Sequence, residues 1–96
     1  MSDKNFSIRY IKAPSKYGVV IYGDEFTPSE YTYLLLKQEF SISNKEALEL
    51  ISQLNNFGKC KVGRYSKEIA ETKCHNCNVI SRVMSYPLLC GIEKRE

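Results

Sequence analysis

Tyr17-Gly18-Val19-Val20-Ile21-Tyr22-Gly23-Asp24-Glu25-Phe26-Thr27-Pro28-Ser29-Glu30 holds the end of a strand and the start of a helix within a few residues. The β-branched and aromatic run Val19 to Tyr22 reads as a buried strand, and Gly23-Asp24 breaks it. Thr27-Pro28-Ser29-Glu30 then supplies an N-cap hydroxyl, a proline at the first helical position and a Glu able to close a capping box. The predicted first helix runs over Pro28 to Phe40 and turns Tyr31, Leu34, Leu35 and Phe40 inward.

Outward from this stretch the same reasoning sets the remaining elements. Ser43-Asn44-Lys45-Glu46 repeats the capping box, Ala47, Leu50, Ile51 and Leu54 keep helical spacing, and Phe57-Gly58 marks a stop. Cys60 to Tyr65 alternates weakly as a strand. Ser66 offers a cap for a third helix, with Glu68 and Glu71 near its positive end and Ile69, Lys73, Cys77, Ile80 and Met84 along one side. Pro87 to Ile92 reads as a last strand before the charged tail Glu93 to Glu96. The order β-α-α-β-α-β predicts an α+β fold: one small domain with three helices packed on one face of a three-stranded, mostly antiparallel sheet. Residues 1–16 lack a clear apolar period and contain Ala13-Pro14-Ser15, so they are expected to form a flexible leader ahead of a domain over 17–96, with Ile8, Tyr10 and Ile11 able to dock.

Composition narrows the function classes. The 96 residues suffice for one core but hardly for two. The net charge of +3 arises from scattered basic residues, and 24–30 is acidic, so no basic stripe suited to nucleic acid is present. No apolar run approaches the roughly 20 residues that span a bilayer, and the N-terminal residues are polar, so a cytoplasmic protein without a membrane role is expected. A single His, no Ser/His/Asp set and no Gly-rich phosphate loop argue against an enzyme.

Three segments carry a family resemblance: Asp24-Glu25-Phe26-Thr27-Pro28, Glu68-Ile69-Ala70-Glu71-Thr72-Lys73 and Pro87-Leu88-Leu89-Cys90. In order and spacing the chain resembles the ClpS adaptor family, whose members carry an Asn-Asp-Asp-x-Thr-Pro loop, an Ala-Glu-Thr-Lys helix start and a Pro-Leu-x-Cys strand. The resemblance runs from Tyr17 to about Glu93. It implies a monomeric adaptor without cofactor. Such an adaptor binds proteins bearing a large hydrophobic N-terminal residue, an N-degron, and delivers them to the N-terminal domain of a ClpA- or ClpC-type ATPase of the Clp protease. It also implies site residues. Asp24 would face the cargo ammonium group, with Glu25, Thr27 and Pro28 completing its loop. Gly23 stands where the family has Asn, and Asn55 where it has His. Ile51, Leu54 and Leu88 would form the apolar wall. Ser29 replaces a common bulky Met and Thr32 a common Val, which implies a roomier pocket. Glu68, Glu71 and Lys73 would touch the ATPase.

The chemistry fits those residue types, because an ammonium group needs acceptors, a compensating carboxylate and a dry cavity beside it. Asn55 retains one acceptor, its amide oxygen, whereas Gly23 offers only backbone and room for water. Two other functions remain open at this point. A modulator that docks on the ATPase with a weakened pocket is suggested by Gly23 and Asn55. A zinc or thiol protein is suggested only by Cys74-His75-Asn76-Cys77. Against the latter, the pair falls about two turns inside a helix rather than at its N-terminus, and Cys60 and Cys90 stand singly, so the four thiols read as buried hydrophobes and no metal site is expected.

Overall fold

The structure is a computed structural model that describes residues 16–94. The chain runs β1 (Tyr17–Tyr22), α1 (Ser29–Phe40), α2 (Asn44–Phe57), β2 (Lys59–Tyr65), α3 (Lys67–Val83) and β3 (Leu89–Lys94). The three strands form one sheet in the order β2-β1-β3, with both pairings antiparallel. The expected docking of Ile8, Tyr10 and Ile11, and all of the leader but Lys16, lie outside the described residues.

β1 is central, and its apolar run fits that place: Val19, Val20 and Ile21 are wholly buried. Ile21 pairs with Cys60 on one side and Cys90 on the other, so these three side chains share the inner face. Val62 is the extra residue where the β1–β2 register shifts between Val19 and Val20, and it still joins the core. The helices cover this one face, with Leu35, Leu36, Phe40, Leu50, Ala70, Cys74 and Cys77 meeting Val19 and Ile21. On the outer face Lys61 of β2 reaches Glu93 of β3 across β1 at 3.5 Å.

Four local expectations are corrected. Leu36, not Leu34, points inward from α1: Leu36 is wholly buried and Leu34 is 56% exposed. Three consecutive leucines satisfy a helical period in more than one phase, and the packing of Thr32, Leu35, Leu36 and Phe40 selects this one. On α3 the buried stripe is Ala70, Cys74, Cys77 and Ser81, while Ile69 and Met84 are exposed. Small side chains let α3 lie close to the sheet, which outweighs the larger apolar residues on the neighbouring stripe.

The third correction concerns caps. Pro28 occupies the N-cap of α1 with extended backbone and no side-chain cap, and α3 likewise starts at Ser66 without a cap from its hydroxyl. Only the α2 box is realised in part, the Glu46 N–H donating to Ser43 Oγ at 3.1 Å. Gly58 ends α2 at a positive φ of 81°, where glycine carries no steric penalty. The fourth is β3, which begins at Leu89 and takes in Glu93 and Lys94, leaving Pro87 and Leu88 ahead of it.

α1 and α3 are tied beneath the β1–α1 loop. The Tyr31 and Ser81 hydroxyls share a 2.8 Å hydrogen bond, and the Tyr31 and Tyr86 rings stack tilted with centroids 4.7 Å apart. The Tyr86 N–H donates to the Ser81 carbonyl at 2.8 Å just after Ser85, which has a positive φ of 65°. This turn carries the chain from α3 to Leu88.

Candidate functional site

The β1–α1 loop is organised by one carboxylate. Asp24 Oδ1 accepts the backbone N–H groups of Phe26 and Thr27, each at 2.7 Å, and Oδ2 accepts the Thr27 hydroxyl at 2.8 Å. This is why Thr27 does not cap α1: a charged acceptor within reach holds its hydroxyl more strongly than a backbone N–H would engage it. Partial burial works to raise the Asp24 pKa, but the hydrogen bonds from the Thr27 hydroxyl and the Phe26 and Thr27 N–H groups outweigh it and hold the group below its ordinary 3.8. A carboxylate has about four lone-pair sites, so three internal bonds leave one at Oδ2 for an incoming donor.

Beside Asp24 lies a cavity of about 250 Å3, lined by Gly23, Asp24, Thr27, Ser29, Thr32, Leu54, Asn55, Gly58 and Leu88. It is smaller than the roughly 300–1,000 Å3 that accepts a drug-sized ligand and has the scale of a single residue. Its floor is buried, with Leu88 5% and Thr32 2% exposed. The Thr32 hydroxyl is turned back toward the Pro28 carbonyl at 3.4 Å. Asn55 is exposed at the rim, and among the described residues its side-chain amide has no hydrogen-bond partner.

Of the residues the resemblance implied, Asp24, Gly23, Thr27, Ser29, Thr32, Leu54, Asn55 and Leu88 line this one cavity. Glu25 and Pro28 do not line it, and Ile51 faces a neighbouring groove between α1 and α2. Gly58 joins the lining without having been expected. Its carbonyl accepts the Gly23 N–H at 2.9 Å, which pins the end of α2 to the loop. A glycine after a helical run signals a stop and carries no sign of this second contact.

The space at Gly23 is not simply vacant. A Cβ built there would lie 3.1 Å from Leu54 Cγ and 3.2 Å from its Cδ1, so Leu54 packs tightly against the place an Asn Cβ would take.

Glu68, Glu71 and Lys73 lie on the first turns of α3, away from the cavity. Glu68 and Lys73 border one shallow depression with Glu39 and Asn76, and Glu68 and Glu71 border another with His75. Lys73 is partly committed inside the fold: its ammonium donates to the Glu39 carbonyl at 2.6 Å and lies 5.4 Å and 5.6 Å from the Phe40 and Tyr65 ring centroids.

The four cysteines are free and buried. Burial pushes the Cys60 thiol up to about 11 and raises that of Cys74, and the Cys77 and Cys74 thiols beside Cys90, with burial, raise it as well. Cys74 Sγ lies 3.0 Å from Cys90 Sγ, while His75 is exposed, so Cys74, His75 and Cys77 do not converge. Among the described residues no three His, Cys, Asp or Glu side chains are arranged to hold a metal ion, and no helix is long and apolar enough to cross a membrane.

Comparison with known proteins extends this picture. Residues 12–91 match the family described as "ATP-dependent Clp protease adaptor protein ClpS". The chain is 36% identical over 84 residues to the ATP-dependent Clp protease adapter protein ClpS of Vibrio atlanticus, covering 88% of this chain and 79% of that one. The ClpS adapter of Sodalis glossinidius gives the same identity and coverage. The solved structure of Agrobacterium tumefaciens ClpS2 bound to L-phenylalaninamide superposes with a TM-score of 0.83 at 26% identity, over 86% of this chain and 100% of that one. With family, relatives and fold in agreement, the chain belongs to the ClpS family of adaptors of the ATP-dependent Clp protease.

Proposed function

We propose that this adaptor captures proteins by a free N-terminal amine and a large hydrophobic first side chain, and delivers them to a ClpA- or ClpC-type ATPase, without catalysing a reaction itself. The observation that carries the reading is the pairing of a depressed-pKa carboxylate and an unengaged amide at the mouth of a residue-sized cavity with a buried floor. The ammonium group would donate to the remaining site on Asp24 Oδ2 and to Asn55 Oδ1, and the side chain would enter between Thr32, Leu54 and Leu88. L-phenylalaninamide, the ligand of the similar ClpS2, has this chemistry: a free α-amine, an aromatic side chain and a neutral amide in place of the next peptide bond.

Two quantities decide whether such a site is useful. Burying a Leu or Phe side chain contributes roughly 1.5–3 kcal/mol, and each hydrogen bond to a charged group about as much. Gly23 supplies no side-chain bond, so the apolar term carries a larger share here than in a site with three polar contacts. Ser29 widens the mouth, which supports acceptance of Leu, Phe, Tyr and Trp, with Ile and Val admitted more readily than beside a Met. The surface around Glu68, Glu71 and Lys73 would meet the ATPase, leaving the cavity open to cargo. The buried free thiols suit a reducing cytoplasm.

The test is a titration of fluorescent peptides beginning with Leu, Phe, Tyr, Trp, Ile or Ala, with free or acetylated N-termini, against wild type and Asp24→Ala. Saturable binding that requires both the free amine and Asp24 is expected. A folded protein that binds the ATPase N-terminal domain but none of the peptides at millimolar concentration would instead be a docking-only modulator.

A further inference from the structure

α1 shows apolar residues on two faces. Leu35 and Leu36 face the core, yet Leu34 is 56% exposed, and across from it on α2 Leu48 is 59% exposed. Between them runs a groove of about 500 Å3 lined by Ser29, Glu30, Tyr33, Leu34, Leu48 and Ile51, almost entirely apolar. Helical spacing accounts for both walls: Glu30, Tyr33 and Leu34 are three and four residues apart on α1, and Leu48 and Ile51 are three apart on α2. The Tyr33 hydroxyl donates to Asn44 Oδ1 at 2.8 Å and Lys37 bonds the same oxygen, so the far end of the groove is fixed before anything enters it.

The groove adjoins the cavity beside Asp24, for Ser29 borders both. Its short side chain separates the two, where a bulky residue would set them farther apart. Consecutive residues of an extended chain advance about 3.3–3.6 Å, so the second and third residues of a peptide whose first residue fills the cavity fall within reach of Ser29 and the groove beyond it. The acidic residues Asp24, Glu25 and Glu30 around the mouth disfavour an acidic occupant.

We infer that the α1–α2 groove is a second subsite for the same cargo chain, taking an apolar side chain at its second or third position against Leu34 and Leu48. This rests on the proposed N-terminal pocket and adds a selectivity that the first residue alone does not supply. Cargo beginning with a large hydrophobic residue followed by Leu, Met or Phe is preferred over cargo continuing with Ser or Asp.

The experiment compares two free-amine peptides, Phe-Leu-Leu and Phe-Ser-Ser ahead of one common dye-labelled sequence, on wild type and on the double variant Leu34→Ser/Leu48→Ser. Both substituted positions are exposed, so the fold should persist, as circular dichroism would check. The expected result is roughly tenfold tighter binding of the Leu peptide to wild type, a gain below about twofold in the variant, and unchanged affinity for the Ser peptide. Equal affinities on wild type, or a gain that survives in the variant, would overturn the subsite while leaving the pocket standing. Failure of both peptides to bind would overturn pocket and subsite together. Sedimentation showing self-association that the double variant abolishes would give the groove to a second copy of the chain and remove it from cargo binding.

Discussion

The mouth of the cavity and the start of α3 both carry residues that match the family pattern, but they differ in what else those residues do. Asp24 holds the β1–α1 loop through three hydrogen bonds, and Lys73 joins the end of α1 to α3 through a carbonyl and two rings. Both serve the fold as well as a surface. Ser29 and Asn55 are exposed, and Asn55 has no partner among the described residues. Of the departures from the family pattern, Ser29 and Asn55 are such lightly engaged positions, whereas Thr32 is buried on the cavity floor and Gly23 packs close to Leu54. On the proposed reading, specificity can drift at the rim and floor of the cavity while Asp24 and Lys73 keep the scaffold that presents it.

The largest effect expected from this contrast is at Asp24. Asp24→Ala removes both the proposed ammonium partner and the loop's organiser, so peptide affinity should fall about 100-fold and thermal unfolding should show a loss of about 1–3 kcal/mol. Lys73→Met keeps a stem over the Phe40 and Tyr65 rings but loses the charge; it should leave peptide affinity within about twofold while weakening ATPase docking about tenfold. A variant at either site that disturbed both functions equally would collapse the distinction between the two regions.

Asn55→His sharpens the comparison further. Histidine titrates near pH 6.5, so the variant should acquire a pH-dependent peptide affinity between about pH 6 and 7. Wild type should be flat from about pH 7 to 5, below the range in which the α-amine of the cargo, near 7.7–8.0, loses its proton. Its dependence comes from Asp24, whose folded pKa is depressed. That contribution is complete above the ordinary 3.8 and is lost as pH falls through the still lower folded value, so stability and binding decline together only below about pH 4.

The smallest effect expected is at Gly23. Gly23→Asn presses its Cβ on Leu54 and should cost about 0.5–1.5 kcal/mol alone, but much less in the pair Gly23→Asn/Leu54→Val, where the wall gives way. Additive costs in the double-mutant cycle would show that Leu54 is not the compensating residue.

Much of this was legible in the sequence because it depends on local signals. A β-branched run, two helix starts and a glycine stop set the order of elements, and two motifs at the right spacing located the cavity. What stayed hidden depends on tertiary choice. Leu34, Leu35 and Leu36 offer equivalent phases until the sheet selects one. The stripe Ala70, Cys74, Cys77, Ser81 looks neutral until α3 is seen lying close on the strands. Thr27 reads as a cap unless the stronger acceptor at Asp24 is known. The hydroxyl pair Tyr31–Ser81 spans 50 residues of sequence and leaves no local trace.

Asn78 of α3 gives one last consequence. Its amide nitrogen donates to the Cys90 carbonyl at 3.0 Å while its oxygen accepts the Cys90 N–H at 2.8 Å. Among the described residues β3 is an edge of the sheet, and at Cys90 this side chain takes both bonds that a neighbouring strand would make. An extended segment of another chain recruits such an edge by pairing with its free backbone groups. With the middle of that edge already occupied, an extended segment of such a chain has no template there on which to add itself as a fourth strand, and the encounter is less able to seed aggregation.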